Sequence, residues 1–186
     1  MKSFALAFFA ALCLAAPAFG AAGFQFTVVG GSRSPDVDDV SGMRMSLIHG
    51  KTQNVSGFDL GMFSYSETGN SSGFAAIMGL HNVTGSSTGG QAALININTG
   101  QCNGVNMAFV NSVKNMGASG LNIGFVNLTE GASTIDIGGL QIAESAKVQI
   151  GFVNIVQKID SLQIGFLNMA QNGFFPVFPF FNYPKP

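Results

Sequence analysis

Val148-Gln149-Ile150-Gly151-Phe152-Val153-Asn154-Ile155 is followed by Leu162-Gln163-Ile164-Gly165-Phe166-Leu167-Asn168-Met169, the same phrase fourteen residues on. Ten copies can be aligned, beginning at Met43, Phe58, Gly73, Gly90, Val105, Leu121, Ile135, Val148, Leu162 and Pro176, at spacings of 13 to 17 residues. A unit this short cannot bury a core by itself, so it must stack on or pair with its neighbours, and the repeat decides the architecture.

Positions within the copy carry distinct chemistry. Positions three and five are apolar (Ile150 and Phe152, Ile164 and Phe166), two residues apart, which is the period of a strand with one packed face. These two columns are therefore expected to face a core. Position four is small, most clearly as Gly124, Gly138, Gly151 and Gly165. Glycine weakens a strand, so a column of it calls for close approach of another backbone or sheet. Position six is apolar again, which implies either cover on both faces or a corner near that point. Position seven is polar: Asn96, Asn111, Asn127, Asn154, Asn168 and Asn182 lead the column, joined by His49. Asn tolerates tight turns, and Asn residues in register form an amide ladder, so this column is expected to mark a corner.

No helical period runs through the repeats, and the fold class expected is all-β. A β-solenoid would stack about ten rungs of 13–17 residues at ~4.8 Å. An antiparallel outer-membrane β-barrel is the alternative, with one strand per copy. Evenly sized gaps and polar residues on both faces favour the solenoid. In the last copy, 176–183, Pro176 and Pro179 cannot donate to a ladder, which fits a terminal cap.

The first twenty residues read differently. Lys2, the apolar run Phe4 to Ala16, and the small residues of Ala16-Pro17-Ala18 and Ala18-Phe19-Gly20 form a secretory signal peptide over 1–20. Residues 21–42 supply an N-terminal strand and an acidic loop, and 43–183 the repeat domain. Localisation is expected to be exported: periplasm, outer membrane or cell surface. Past the signal only Cys102 remains, so stability must come from the repeat and not from a disulfide.

Charged residues make up 9% of the chain and the net charge is −1, against ~25% charged in ordinary globular proteins. That excludes a basic nucleic-acid surface. With 47% hydrophobic residues, it points to a surface that meets a membrane, an envelope partner or its own copies.

Candidate chemistry is thin. His49 belongs to a repeated column, and His81 follows Leu80 into a Gly/Ser-rich stretch that reads as exposed. Asp36, Asp38 and Asp39 cluster without the glycine or distal Glu of a calcium loop and read as a solvated acidic loop. Asp59 and Glu67 do not make a glycosidase pair by spacing alone. No catalytic residue, metal ligand or cofactor is assigned, and the chain is expected not to be an enzyme.

The phrase Leu-Gln-Ile-Gly-Phe-Leu-Asn, repeated and followed by a Phe/Pro-rich end, resembles bacterial exported surface repeat proteins built on tandem Gly-Leu-Gln-Ile-Gly-Leu-Xaa-Asn units. The likeness is strongest from Leu121 to Asn182. It implies export and a place at the surface or envelope, and carries no active site with it. The expected function is a structural, adhesive or self-associating scaffold. An outer-membrane pore or anchor follows from the barrel alternative. A glycan- or ice-binding solenoid is a further option, but ice binding favours outward Thr rows and Thr is sparse in the columns.

Overall fold

The computed structural model describes residues 21–29, 32–116 and 120–186; the signal segment over 1–20 lies outside them. Eight strands follow in order: β1 (Ala21–Thr27), β2 (Arg33–Ser34), β3 (Asp39–Ser46), β4 (His49–Gly61), β5 (Tyr65–Val83), β6 (Ser87–Met116), β7 (Leu121–Ala170) and β8 (Val177–Asn182). β1, β3, β4, β5, β6 and β7 pair in that order, each parallel to the next. Parallel pairing of consecutive strands at an offset of about one copy is a β-solenoid, and it rules out the antiparallel barrel.

Counted by strands, the coil has about six turns, fewer than the ten copies in the sequence. The difference lies in β6 and β7, which run unbroken for 30 and 50 residues. Straight, a strand of 50 residues would reach ~165 Å. Instead β7 coils back on itself: Phe152 and Phe166 stack at 5.0 Å, and Asn154 bonds Asn168.

Pairing also corrects the register of the third copy. Phe58 lies beside Phe74, and Gly57 beside Gly73, so that copy begins at Phe74 and not Gly73. A bulge between Ile77 and Leu80 then brings His81 beside Asn96.

Burial inverts the expected sidedness of positions three and five. Ile150, Phe152, Ile164 and Phe166 are exposed, whereas Gln149, Asn154, Gln163 and Asn168 are fully buried. The phase of burial switches between positions five and seven, as a corner there requires: Phe152 points out, while Asn154 and Val156 point in. An apolar lining completes the interior at positions nine and twelve, where Ala143, Ala146, Val156, Ile159 and Ala170 cluster. Parallel stacking explains why amides can take the inside. Each rung sets an amide one strand spacing away, so most donors and acceptors of the columns find partners there, while Asn96 Oδ1, Gln149 Nε2, Asn154 Oδ1 and Gln163 Oε1 have none. Apolar side chains have no such requirement and are tolerated outside.

Antiparallel strands sit at both ends. β2 pairs with β1, and β8 reverses onto β7. The tenth copy is thus an edge cap, as its prolines suggest, but not a rung in phase. Asn182 lies opposite Gln163, while Phe178 lies opposite Asn168.

Candidate functional site

The outward columns form one continuous apolar face. In position five, Met62, Met78, Leu94, Phe109, Phe125, Phe152 and Phe166 are all more than half exposed. Position three adds Met107, Ile123, Ile150 and Ile164 beside them. Exposed aromatics on neighbouring copies stack: Phe109 on Phe125 at 5.1 Å and 7°, Phe152 on Phe166 at 5.0 Å and 5°. Gly139 occupies the place between the two pairs, leaving a notch in the row. Toward the N-terminus the bulk falls away. Met45, Leu60, Ala76 and Ala92, with Gly61 and Ala93 between the columns, line an open apolar groove of about 510 Å³.

Beneath this face runs the Asn column. Asn96 donates from Nδ2 to Asn111 Oδ1 at 3.2 Å, Asn111 to Asn127 at 2.8 Å, and Asn127 to Gln141 Oε1 at 2.6 Å. Asn154 donates to Asn168 at 2.7 Å. The same amides reach backbone carbonyls of the following rung, as Asn127 does to Ile137 at 3.1 Å and Asn154 to Ile164 at 2.9 Å. Asn168 ends the series on the carbonyl of Phe178 in the cap at 3.2 Å.

The ladder accounts for the small column. A Cβ on Gly124 would lie 2.8 Å from Asn111 Nδ2 and 3.0 Å from Asn127 Oδ1. On Gly151 it would lie 2.8 Å from Gln141 Nε2, and on Gly165 2.5 Å from Asn154 Nδ2. At Gly138 the preceding strand leaves even less room, with Gly124 O at 1.5 Å. The neighbour these glycines admit is therefore the adjacent rung's backbone and the amide column, not a second sheet.

A second polar column fills position two: Arg44, Asp59, Gln91, Asn106, Asn122, Asp136, Gln149 and Gln163 are all buried. Its amides point at a carboxylate. Asn106 donates to Asn122 at 2.9 Å and Asn122 to Asp136 Oδ1 at 2.9 Å. From the other end Gln163 donates to Gln149 Oε1 at 2.9 Å, and Gln149 in turn favours the ionised form of Asp136. A carboxylate only accepts, so the half-ladder from Asn106 ends on its Oδ1, while Asp136 Oδ2 and Gln149 Nε2 have no hydrogen-bond partner. Burial nevertheless pushes the Asp136 carboxyl up, against the hydrogen bonds from Ser133 and Asn122.

At the N-terminal end this column becomes ionic. Arg44 Nε donates to Asp59 Oδ1 at 2.8 Å, and its Nη2 to Asp59 Oδ2, to Ser66 Oγ and, at 2.7 Å, to Thr68 Oγ1. His81 Nε2 lies 3.7 Å from Asp59 Oδ2, and neither ring nor pair is exposed. Desolvation holds His81 down at about 4, helped by Arg44 and opposed by Asp59 and Asn96. The imidazole is thus neutral at pH 7, and the pair beside it is closed to solvent.

His81 corrects the expectation of an exposed loop residue: it is fully buried. The bulge in β5 places it in the Asn column, a shift that an even count of residues misses. His49 stacks on Tyr65 at 5.3 Å at the periphery. Asp36 and Asp38 are solvent-exposed and bridge to Arg33, Asp38 at 2.9 Å. Cys102 is buried against Asn106. Among the described residues no group of three or more His, Cys, Asp or Glu gathers as a metal site. Sequence reasoning missed Arg44 and its pairing with Asp59. Both occupy position two fifteen residues apart, and opposite charges at one repeated position were the available signal. No protein-family model, no curated protein and no solved structure matches this chain.

Proposed function

We propose that the chain is a non-enzymatic exported scaffold of the bacterial cell envelope or surface, and that it works by docking its apolar face. The observation that carries this is the exposure of Phe109, Phe125, Phe152 and Phe166, each at 60–63% in one row. Burying four such rings on a partner would favour docking by several kcal/mol, roughly 25 cal/mol per Å² of apolar surface removed from water. Monomeric proteins seldom leave so long an apolar strip uncovered. The signal-like 1–20 segment and the resemblance to surface repeat proteins support the envelope placement. Titratable groups inside the coil are sealed from substrate, which favours a structural reading over catalysis. A glycan-binding reading has less support. Sugars stack on ring faces, and here the faces of the paired rings are turned to one another along the row.

Fractionation tests the proposal. Wild-type chain is expected in the envelope or surface fraction, and a Phe109→Asp/Phe152→Asp variant is expected to fall at least tenfold there while still being exported. Wild type retained in the cytosol contradicts export. A variant held as tightly as wild type contradicts docking through this face.

A further inference from the structure

Resting on that docking reading, we propose that the occupant of the apolar face is a second copy of this chain, laid face to face and antiparallel about a two-fold axis. The face is unequal along its length. Its N-terminal part is the groove floored by Ala76, Ala92 and Gly61, and its C-terminal part is a ridge of Phe125, Phe152 and Phe166. A two-fold axis across the stack reverses the order of rungs, so ridge meets groove twice, and position five meets position five. Phe109 then lies on the axis, the fifth of nine position-five residues from Leu47 to Phe166. Gly139 comes two places after it and Met78 two places before it. The notch in the row thus faces Met78, whose side chain is 58% exposed and flexible enough to fill it.

Area and charge agree with this pairing. Nine repeats at ~4.8 Å and three columns two residues apart give a face of about 500 Å² per chain in projection, or about 1,000 Å² for the two chains before ring relief is counted. That reaches the size at which a specific interface begins. Positions one, three and five carry no charged residue from Met43 to Phe166, so nothing on the face repels an identical face or attracts an anionic lipid surface. Growth end to end is hindered by β2 and β8, which leaves the face as the route to association.

Sedimentation equilibrium of the purified exported chain at micromolar concentration is expected to give twice its monomer mass. Phe125→Asp and, separately, Phe152→Asp are expected to sediment as monomers with unchanged far-ultraviolet circular dichroism. Under oxidation, Phe109→Cys is expected to cross-link to itself. Met62→Cys and Phe152→Cys are expected to cross-link when mixed and not alone, while wild type, with Cys102 buried, does not cross-link. A monomeric wild type overturns the proposal, as does a dimer in which Phe152→Cys links to itself. Flotation of monomer with neutral phosphatidylcholine vesicles assigns the face to lipid and also overturns it. A monomer whose Phe109→Asp/Phe152→Asp form leaves the envelope fraction overturns the second copy but leaves docking intact, whereas one whose variant stays there overturns both.

Discussion

Gln163 donates from Nε2 to Oε1 of Gln149 at 2.9 Å, across fourteen residues of chain. Both side chains are fully buried, and each holds position two in consecutive copies. The contact shows the logic of this interior: the repeat supplies one buried amide with a partner in the next rung, although Gln163 Oε1 and Gln149 Nε2 are left without one. Asn127 sits mid-way in the companion column, accepting from Asn111 and donating to Gln141 and to the Ile137 carbonyl. Asn127→Ala is expected to cost about 2–3 kcal/mol, since it strands buried partners on both sides. Urea unfolding of the variant against wild type measures it.

Arg44 and Asp59 form a buried pair whose side chains are closed to solvent. Arg44→Met is expected to destabilise the chain by about 3–5 kcal/mol, because Asp59 keeps an uncompensated charge. Arg44→Met/Asp59→Leu is expected to recover most of that loss. A double-mutant cycle by chemical denaturation gives the coupling.

Acid should act through His81. Its folded value of about 4 lies below the ordinary 6.5, so the unfolded chain binds the proton first. The contribution is complete above pH 6.5 and is lost as pH falls from 6.5 toward 4, amounting to about 3 kcal/mol. Asp59, Arg44 and Asn96 face the ring. Asp136 acts with the opposite sign: its raised carboxyl favours the folded state in acid and ceases to as pH rises. His81→Asn, which continues the Asn column, is expected to flatten the stability profile between pH 6.5 and 4. Unfolding midpoints across that window test the sign.

Glycines divide by what lies beside them. A Cβ on Gly151 meets Gly138 O at 2.6 Å and Gln141 Nε2 at 2.8 Å, whereas Gly23 has nothing within 4 Å. Gly151→Ala is expected to destabilise by about 1–3 kcal/mol. Gly23→Ala should stay within about 0.5 kcal/mol. Thermal midpoints of the two variants separate the cases.

The strand class is legible from the period, stacking is favoured over a barrel by even gaps and the polar columns, and the edge place of the last copy follows from its prolines, because these signals act locally. Sidedness is not legible in this way. Ile150 and Phe152 look like core by hydropathy, and Gln149 and Asn154 look like surface. The reverse holds because stacking supplies amide partners that no single strand contains. The place of His81 escapes for another reason: one bulge between Ile77 and Leu80 moves it into a column that counting assigns to Gly79. Arg44 and Asp59 become a pair only once the offset of fifteen residues is known to be one turn.

The central claim is that the polar columns are the inside of this coil and the apolar columns its working face. Thiol labelling of the folded chain tests it most directly, using Gln163→Cys and Phe166→Cys, with buried Cys102 as the internal control. In a chain held monomeric by Phe125→Asp, a thiol at 166 is predicted to react at the rate of an exposed cysteine, while one at 163 is protected at least a hundredfold. Fast labelling at 163 with protection at 166 in the isolated, monomeric chain would contradict it.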